Sequence, residues 1–305
     1  MDVTIFSQNL RGLRVMQEDK FNLKPIWQAC LEIYKEVAKI CERHGLRYYA
    51  TDGTALGAVR HKGYIPWDDD FDISMPRPDY EKFKEYANAE LPKHLRFWNY
   101  KTVPDFIFLF GKVQDTRREV VEEMERQVGH LLSNGSYIDI FPIDGYPESK
   151  TEILWMKYST IFPKCIIRFK CMRFREQQSL KGRFAWAVGA LLSLCLPWVK
   201  PTGCLAYCER LVSKHPFDIS KFNGRTCSNV TVLRRAPLKR EAWGTPMPSQ
   251  FEDTQVMLPS DVDAHLRNEY YKWDYMQLPP EKDRHPTHGY PYHFKWWLGP
   301  GSTKE

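Results

Sequence analysis

The sequence predicts a mixed sheet domain of the α/β or α+β class across about residues 20–148. Strand-like and helix-like segments alternate through this region, a pattern that places helices against a sheet. The chain of 305 residues is 43% hydrophobic and 14% aromatic, and its charged fraction of 27% excludes a disordered or fibrous chain. Its length exceeds that of a usual single domain, so we expect one large domain with an insertion or two closely packed lobes.

The elements of this domain follow from apolar periodicity and from the residues that break it. An amphipathic helix is predicted over residues 24–44, with Pro25 in its first turn and Gly45 after its end. A short strand over residues 46–51 leads to a short helix that starts at Thr54. A second amphipathic helix is predicted over residues 79–91, and further strands over 71–75, 95–100, 106–114 and 137–141, the last ended by Pro142.

The middle of the chain, residues 149–224, is basic and apolar. Eight basic residues and one acid between Lys157 and Arg183 give a local net charge of +7 in a chain whose total is +6, so the basicity marks one patch and not a general nucleic-acid binder. The sixteen uncharged residues 184–199 fall short of the ~20 that span a bilayer. Two interpretations stay open: a packed helical insertion, or an interfacial element that meets anionic headgroups.

The cysteines and the first residues of the chain favour a reducing compartment. The eight cysteines form no Cys-x-x-Cys pair, and the chain begins without a basic stretch followed by an apolar run, so we expect free thiols in the cytosol and no secretory signal. Cys204 and Cys208 are weak candidates for a zinc site, because the spacing of the cysteines around them is irregular.

An acid-rich turn and a second acid-bearing strand carry the chemistry. Asp70 and Asp72 are two residues apart on a predicted strand, so their side chains should share a face, whereas Asp69 should face the other way. Asp68 lies in the preceding turn and could compete as a ligand. Asp139 is a third acid in an apolar strand. Carboxylates forced together repel unless a cation lies between them, which predicts a Mg²⁺ or Mn²⁺ site at Asp70, Asp72 and Asp139.

Groups that can bind phosphate precede these acids. Gly53 and Thr54 open a short helix, where glycine permits close approach and the helix N-terminus offers free N–H groups. Arg60, His61 and Lys62 add positive charge nearby, and the guanidinium of Arg60 is suited to bidentate phosphate binding.

One long motif resembles the signature of a known family. The stretch Gly53-Thr-Ala-Leu-Gly-Ala-Val-Arg-His-Lys-Gly-Tyr-Ile-Pro-Trp-Asp-Asp-Asp-Phe-Asp-Ile is similar to the signature of the LicD phosphotransferases, a family that includes the fukutin-type proteins of animals. Further similarity lies in Phe110-Gly-Lys-Val-Gln-Asp-Thr, in Ile138-Asp-Ile-Phe-Pro-Ile-Asp-Gly and in Trp273-Asp-Tyr-Met-Gln-Leu-Pro-Pro with Arg284 and His285. The resemblance covers about residues 25–145 and 245–290.

The resemblance implies an α+β, nucleotidyltransferase-like fold of the polymerase-β type, with a mixed sheet and a helical insertion. In that superfamily a Gly-Ser/Thr turn precedes an Asp-x-Asp strand and a third Asp lies on a neighbouring strand; here these are Gly53-Thr54, Asp70, Asp72 and Asp139. Asp52 departs from the small or neutral residue common before that turn, and the gap to the Asp pair is longer than in simple nucleotidyltransferases. We divide the chain into a catalytic core (1–148), a basic and apolar helical insertion (149–224) and a C-terminal segment that completes the site (225–305).

The resemblance also implies the reaction and its partners. A Mg²⁺- or Mn²⁺-dependent enzyme would move a phospho-alcohol, with phosphocholine from CDP-choline favoured, to a hydroxyl of a cell-surface glycan or its lipid-linked precursor and release CMP. Lys112, Arg60 and Arg284 would neutralise phosphate oxygens, and Asp139 is the preferred base. The cysteines and the basic, apolar middle segment, rather than the resemblance, predict a cytoplasmic protein that is peripheral at an anionic membrane surface, the inner face of the membrane, with no nucleic-acid partner.

Two other functions stay open at this point. The same acids would serve a nucleotidyltransferase that transfers the nucleotide itself, and a non-catalytic scaffold at the membrane surface would need none of them. The sequence names neither the CDP-alcohol, nor the glycan, nor the oligomeric state.

Overall fold

The computed structural model describes residues 21, 23–103, 106–120, 135–172, 174, 179–228, 231–233, 236–286 and 294–296. A mixed sheet lies at the centre of the fold, with its main strands in the order β1-β2-β6-β4-β3. These strands are β1 (Tyr49–Ala50), β2 (Asp72–Pro76), β3 (Leu95–Trp98), β4 (Gly111–Asp115) and β6 (Tyr137–Gly145). Of the pairs along this path, β2 and β6 run parallel and the others antiparallel.

Shorter strands extend or flank this sheet. The end of β6 pairs with β7, which in turn pairs with β10. Separate two-stranded ribbons join β5 to β13, β8 to β9 and β11 to β12. The bounds are β5 (Arg118–Val120), β7 (Phe222–Gly224), β8 (Cys227–Ser228), β9 (Thr231–Val232), β10 (Leu238–Lys239), β11 (Met247–Phe251), β12 (Thr254–Leu258) and β13 (Phe294–Trp296).

The helices occupy three parts of the chain. Before and between the sheet strands lie α1 (Lys24–His44), α2 (Asp52–Arg60) and α3 (Arg77–Glu90). The middle segment folds as α4 (Lys150–Ser159), α5 (Ile161–Cys171), α6 (Leu180–Cys195) and α7 (Pro201–Val212). The C-terminal part contains α8 (Arg240–Trp243), α9 (Val262–Glu269) and a 3₁₀ turn (Glu281–Asp283). Mixed helices and strands confirm the predicted class of fold.

Helix α1 anchors the main core. Its buried residues, among them Ile33 and Val37, pack in one cluster with Ile73 of β2 and Ile138 of β6. Gly45 ends the helix in the left-handed conformation (φ 61°), which glycine adopts at little cost, and its N–H donates to backbone carbonyls of the last turn. The predicted helix over residues 24–44 is therefore confirmed.

The strand that carries Asp139 is longer than predicted. Pro142 does not end it, and β6 continues to Gly145. The Asp139 N–H donates towards β2, so by alternation the nitrogen of Pro142 points to the β4 side, where pairing has already stopped at Ile140 and a missing N–H does little harm. The strand predicted over residues 106–114 is in turn shorter, because β4 begins at Gly111.

The middle helices pack on the sheet through a second core. Phe108, Phe110 and Phe141 contact each other and join Ile166 of α5 and Leu205 of α7 in one buried cluster. Within the described part of the chain, no helix has the length and apolar character needed to cross a membrane. Free thiols are present at Cys30, Cys41, Cys165, Cys171, Cys195, Cys204 and Cys208.

Candidate active site

Asp72 and Asp139 lie side by side at the centre of the sheet. They are register partners on the parallel strands β2 and β6, and the Asp139 N–H donates to the carbonyl of Phe71 at 3.0 Å. The two residues are only 6% and 8% exposed. The parallel pairing thus brings together two acids that are 67 positions apart in the sequence.

Lys112 approaches Asp139 from the other side. The two are register partners across β4 and β6, and Lys112 Nζ lies 3.0 Å from Asp139 Oδ1. The same ammonium group lies 3.3 Å from the centroid of the Tyr137 ring, with Phe108 and Phe110 also within 6 Å. The ion pair does not satisfy hydrogen-bond geometry, and Asp139 Oδ1 is a buried carboxylate oxygen without a hydrogen-bond partner.

The three acids before β2 form a second group beside this pair. One carboxylate oxygen from each of Asp68, Asp69 and Asp70 lies within 4.8 Å of the others, and among the described residues this is the group suited to hold a metal ion. The expectation that Asp69 faces the other way is wrong, because β2 begins only at Asp72 and residues 68–70 do not alternate as a strand. The zinc candidates of the sequence, Cys204 and Cys208, lie on the buried face of α7.

The electrostatics of Asp72 show how crowded these acids are. Burial raises the pKa of Asp72 well above its ordinary value, and the charges of Asp70, Asp52, Asp139 and Asp68 raise it further. A hard divalent cation would relieve this repulsion, and Oδ1 of Asp139, which faces Lys112 without a hydrogen bond, is an available oxygen ligand. The residues present therefore fit a Mg²⁺ or Mn²⁺ ion.

The start of α2 is fastened to the acid strand. Thr54 is buried and its hydroxyl accepts the backbone N–H of Asp72 at 2.8 Å, so this hydroxyl positions Asp72. Gly53 lies against Asp68, and a Cβ at position 53 would be 1.9 Å from Asp68 Oδ2. Both residues of the Gly-Thr turn thus belong to the site through contacts with its acids, and a side chain at position 53 would displace the carboxylate of Asp68.

Replacing Thr54 with valine should disturb the site through Asp72. Valine removes the acceptor and leaves a buried N–H unsatisfied, which costs about 1–3 kcal/mol. Thr54→Ser keeps the hydroxyl and should retain most of the stability and activity. Urea unfolding and initial rates for both variants check this, and equal behaviour of the two variants would contradict the positioning role.

Arg60 fastens α2 to the C-terminal segment. Its Nη1 donates to the backbone carbonyls of Tyr275 and Gln277 at 2.8 and 3.1 Å, and its Nε donates to His61 Nε2 at 2.9 Å. Burial is the main cause that lowers the pKa of Arg60, and the positive charge of Arg284 contributes to the lowering. The predicted phosphate ligand is therefore largely occupied in holding the segment that brings Arg284 near the site.

Of the two predicted phosphate-binding arginines, Arg284 is more available than Arg60 to contact a phosphate. Its guanidinium lies over the ring of Trp67, 5.6 Å from the centroid, and its Nε donates to the carbonyl of Pro279 at 2.8 Å. Trp67 immediately precedes the acidic turn. The C-terminal similarity noticed in the sequence thus corresponds to a segment that packs beside the acids.

His61 makes the stability of this region depend on pH. Burial and the charge of Arg60 lower the pKa of His61 to about 4, and its Nε2 accepts a hydrogen bond only when unprotonated. The unfolded chain binds a proton near pH 6.5 and the folded chain near pH 4, so stability should fall as the pH drops through this window. His61→Gln keeps an acceptor without titrating. Thermal melts should therefore show a shallower pH dependence for the variant; equal slopes would contradict this assignment.

The site also contains residues that no motif indicated. Arg225 Nη2 donates to Asp52 Oδ1 at 2.5 Å, lies 3.6 Å from Glu269 Oε2, and its guanidinium is 4.6 Å from the centroid of the Phe141 ring. Burial raises the pKa of Tyr270 and the charges of Asp52, Asp68 and Asp70 raise it further, so its hydroxyl lies near the acids. A single sequence gives no direct signal for Arg225 or Tyr270. The unusual acid at position 52, before the Gly-Thr turn, was the one sign that a nearby cation was needed.

Comparisons with known proteins place these acids within a family domain. Residues 45–175 match the family model described as LicD/FKTN/FKRP, nucleotidyltransferase domain, and these residues include β2, β6 and all the acids of the two groups. The chain carries a LicD-family domain. The LicD match ends within the middle segment, before α6 begins.

Two relatives extend the LicD similarity. The lipopolysaccharide cholinephosphotransferase LicD of Haemophilus influenzae is 29% identical over 275 residues, which are 88% of this chain and 97% of that protein. The ribitol 5-phosphate transferase FKRP of Homo sapiens is 27% identical over 139 residues, 42% of this chain and 24% of that protein. The first alignment is long enough to pass beyond the LicD domain, whereas the chain spans about a quarter of the human protein.

Proposed function

We propose that this LicD-type phosphotransferase moves a phospho-alcohol group from a CDP-linked donor to a hydroxyl of a glycan or of its lipid-linked precursor and releases CMP. The pairing of Asp72 with Asp139 across parallel strands, beside the acids of residues 68–70, carries the proposal. The bacterial relative is named a cholinephosphotransferase and the human one a ribitol 5-phosphate transferase, and both names describe phospho-alcohol transfer. The length of the bacterial match makes phosphocholine the favoured group.

We place Mg²⁺ or Mn²⁺ at Asp70, Asp72 and Asp139, and Asp68 and Asp69 each bring a carboxylate oxygen within 4.8 Å of one on Asp70. A bound divalent ion would neutralise charge on the donor pyrophosphate. The parallel acid strands that follow a Gly-Thr helix start also support a fold of the polymerase-β type.

The residues of the chain supply positioning and a base. The acceptor hydroxyl attacks the distal phosphorus, a new oxygen–phosphorus bond forms, and the bond to CMP breaks with the electron pair leaving on CMP. Asp139, whose Oδ1 has no hydrogen-bond partner, takes the hydroxyl proton. Lys112 and Arg284 balance charge on the phosphate oxygens, and little other covalent chemistry is required of the protein.

A panel of CDP-alcohols tests this function. The protein is incubated with CDP-choline, CDP-ribitol, CDP-glycerol or CDP-ethanolamine, an oligosaccharide or lipid-linked glycan acceptor, and Mg²⁺. We expect CMP release and a ³¹P signal for a phosphodiester on the acceptor with at least one donor, and neither in excess EDTA. Transfer of the nucleotide to the acceptor would instead identify a nucleotidyltransferase, and the absence of turnover with every donor would favour a scaffold.

A further inference from the structure

Helix α6 presents a continuous apolar stripe to solvent. Its exposed large apolar residues recur at intervals that fit one face of a helix, and one more lies just past its end. They are Leu180, Phe184, Leu191, Leu194 and Trp198. From residue 180 to residue 194 the stripe is about 21 Å long. Such a stripe would normally face a protein core.

The opposite face of α6 is already used in packing. Gly189 contacts α5 so closely that a Cβ would lie 2.0 Å from the backbone oxygen of Cys165. Trp186 donates its indole N–H to the carbonyl of Met172 at 2.9 Å and packs against Phe169. Because one face is fixed on α5, the exposed stripe is a separate surface of the folded protein.

The preceding helices carry a similar exposed stripe. Along α4 and the first turn of α5, exposed apolar residues occur at positions i, i+1, i+4, i+7 and i+8 of a helical pattern. They are Leu154, Trp155, Tyr158, Ile161 and Phe162. The same middle segment therefore bears two solvent-facing apolar stripes, more than scattered surface residues explain.

Basic residues border the α6 stripe at both ends. Lys181 and Arg183 are exposed in its first turn, and Lys170 reaches the other end, where its Nζ donates to the carbonyl of Val199 at 2.5 Å. Lys200 follows the stripe and is also exposed. No acid occurs in the sequence between Glu176 and Glu209. The charged residues that this stretch of the sequence contributes beside the stripe are therefore all cations.

This distribution decides between two kinds of partner. If a second copy covered the stripe, parallel or antiparallel pairing of two α6 helices would bring cations against cations, with no acid on the helix to compensate. An anionic bilayer accepts both features, because headgroups attract the cations and the acyl boundary takes the apolar side chains. We propose that α6 lies in the surface plane of an anionic lipid bilayer, with the α4–α5 stripe as a second contact. This docking does not depend on which donor the enzyme uses.

Vesicle co-sedimentation tests the docking without donor or acceptor. We expect the full chain to bind vesicles of phosphatidylcholine mixed with phosphatidylglycerol, to bind phosphatidylcholine alone much more weakly, and to dissociate with added salt. Leu194→Glu should lower the partition constant at least about tenfold, since it removes an exposed leucine that the bilayer would bury. Replacing Lys181 and Arg183 with glutamine should lower it about fivefold for each charge.

Matched variants elsewhere on the surface serve as controls. Ile219 is 77% exposed and Leu194 is 80% exposed, and Ile219→Glu should not change vesicle binding. Lys221→Gln with Lys239→Gln removes two exposed cations that lie outside the helices α4–α7 and should have a much smaller effect than the α6 pair. Transfer to a soluble acceptor should be unchanged in the α6 variants, so a loss there would show damage to the fold.

Three results would overturn the proposal. Equal binding to neutral and anionic vesicles would remove the role of the cations, and equal effects of Leu194→Glu and Ile219→Glu would remove the role of the stripe. A wild type that ignores vesicles but forms a dimer in analytical ultracentrifugation, with Leu194→Glu monomeric, would show that a second copy covers α6.

Discussion

Asp72→Asn is expected to abolish transfer while leaving the metal-free protein at least as stable as the wild type. Asparagine keeps the shape of the side chain but removes a negative charge that Asp70, Asp52 and Asp139 oppose. A divalent ion bound as proposed would lose a ligand and with it several kcal/mol of charge stabilisation, so kcat should fall by roughly a thousandfold. Asp70→Asn and Asp139→Asn should lose activity similarly.

Melting in two conditions separates this loss from unfolding. In EDTA the melting temperature of Asp72→Asn should equal or exceed that of the wild type. With Mg²⁺ and donor, only the wild type should gain stability, because ligands that bind the folded state alone raise it. More than a few per cent of residual activity in either Asp70→Asn or Asp72→Asn would show that the residue is not a metal ligand.

Asp144, which lies on strand β6 with Asp139, provides the matched control. It is fully buried, and both its carboxylate oxygens accept from Arg77, from Nε and Nη2 at 2.7 Å each, while Thr226 donates to one of them. Asp144→Asn removes one partner of a buried ion pair, which should cost about 3–5 kcal/mol of stability. Below its melting temperature that variant should still turn over. Two buried aspartates of β6 would thus separate stability from catalysis.

The acid pair could be predicted from the sequence because the signals are local. Asp72 and Asp139 each lie in a strand whose other residues are mostly apolar. Buried parallel strands have nearly continuous apolar sequences, so a single acid in one is easy to recognise. The exact bounds could not be predicted, since the strand start at Asp72 depends on pairing with β6. That single shift changes where Asp69 points.

The contacts made by cations required the folded chain. Arg60 was expected to bind phosphate, but the carbonyls of Tyr275 and Gln277, more than two hundred positions away, take its Nη1. Whether a guanidinium meets phosphate or backbone depends on which segment folds over it, and charge patterning along the chain does not report this. For the same reason the contact of Arg225 could not be predicted, because its partner Asp52 lies 173 positions earlier in the sequence.

Arg225→Met should cost about 3–5 kcal/mol of stability, because it leaves Asp52 and Glu269 without their shared cation beside an already crowded set of acids. The guanidinium binds both oxygens of Asp52 through Nη1 and Nη2, a fork that lysine cannot reproduce, so Arg225→Lys should recover only part of the loss. Urea unfolding in EDTA measures both.

A double-mutant cycle with Asp52→Asn isolates the pair. Asp52 has a positive φ of 49°, a conformation that asparagine tolerates better than most residues, so Asp52→Asn should not strain the start of α2. If the ion pair accounts for the loss, adding Asp52→Asn to Arg225→Met should restore most of the stability, since the Asp52 charge, which also raises the pKa of Asp72, is then gone. Additive losses would instead show that Arg225 acts mainly through its contact with Phe141. A large coupling energy would show that Arg225 stabilises the region of the acids by charge, and a coupling energy near zero would show that it does so by packing.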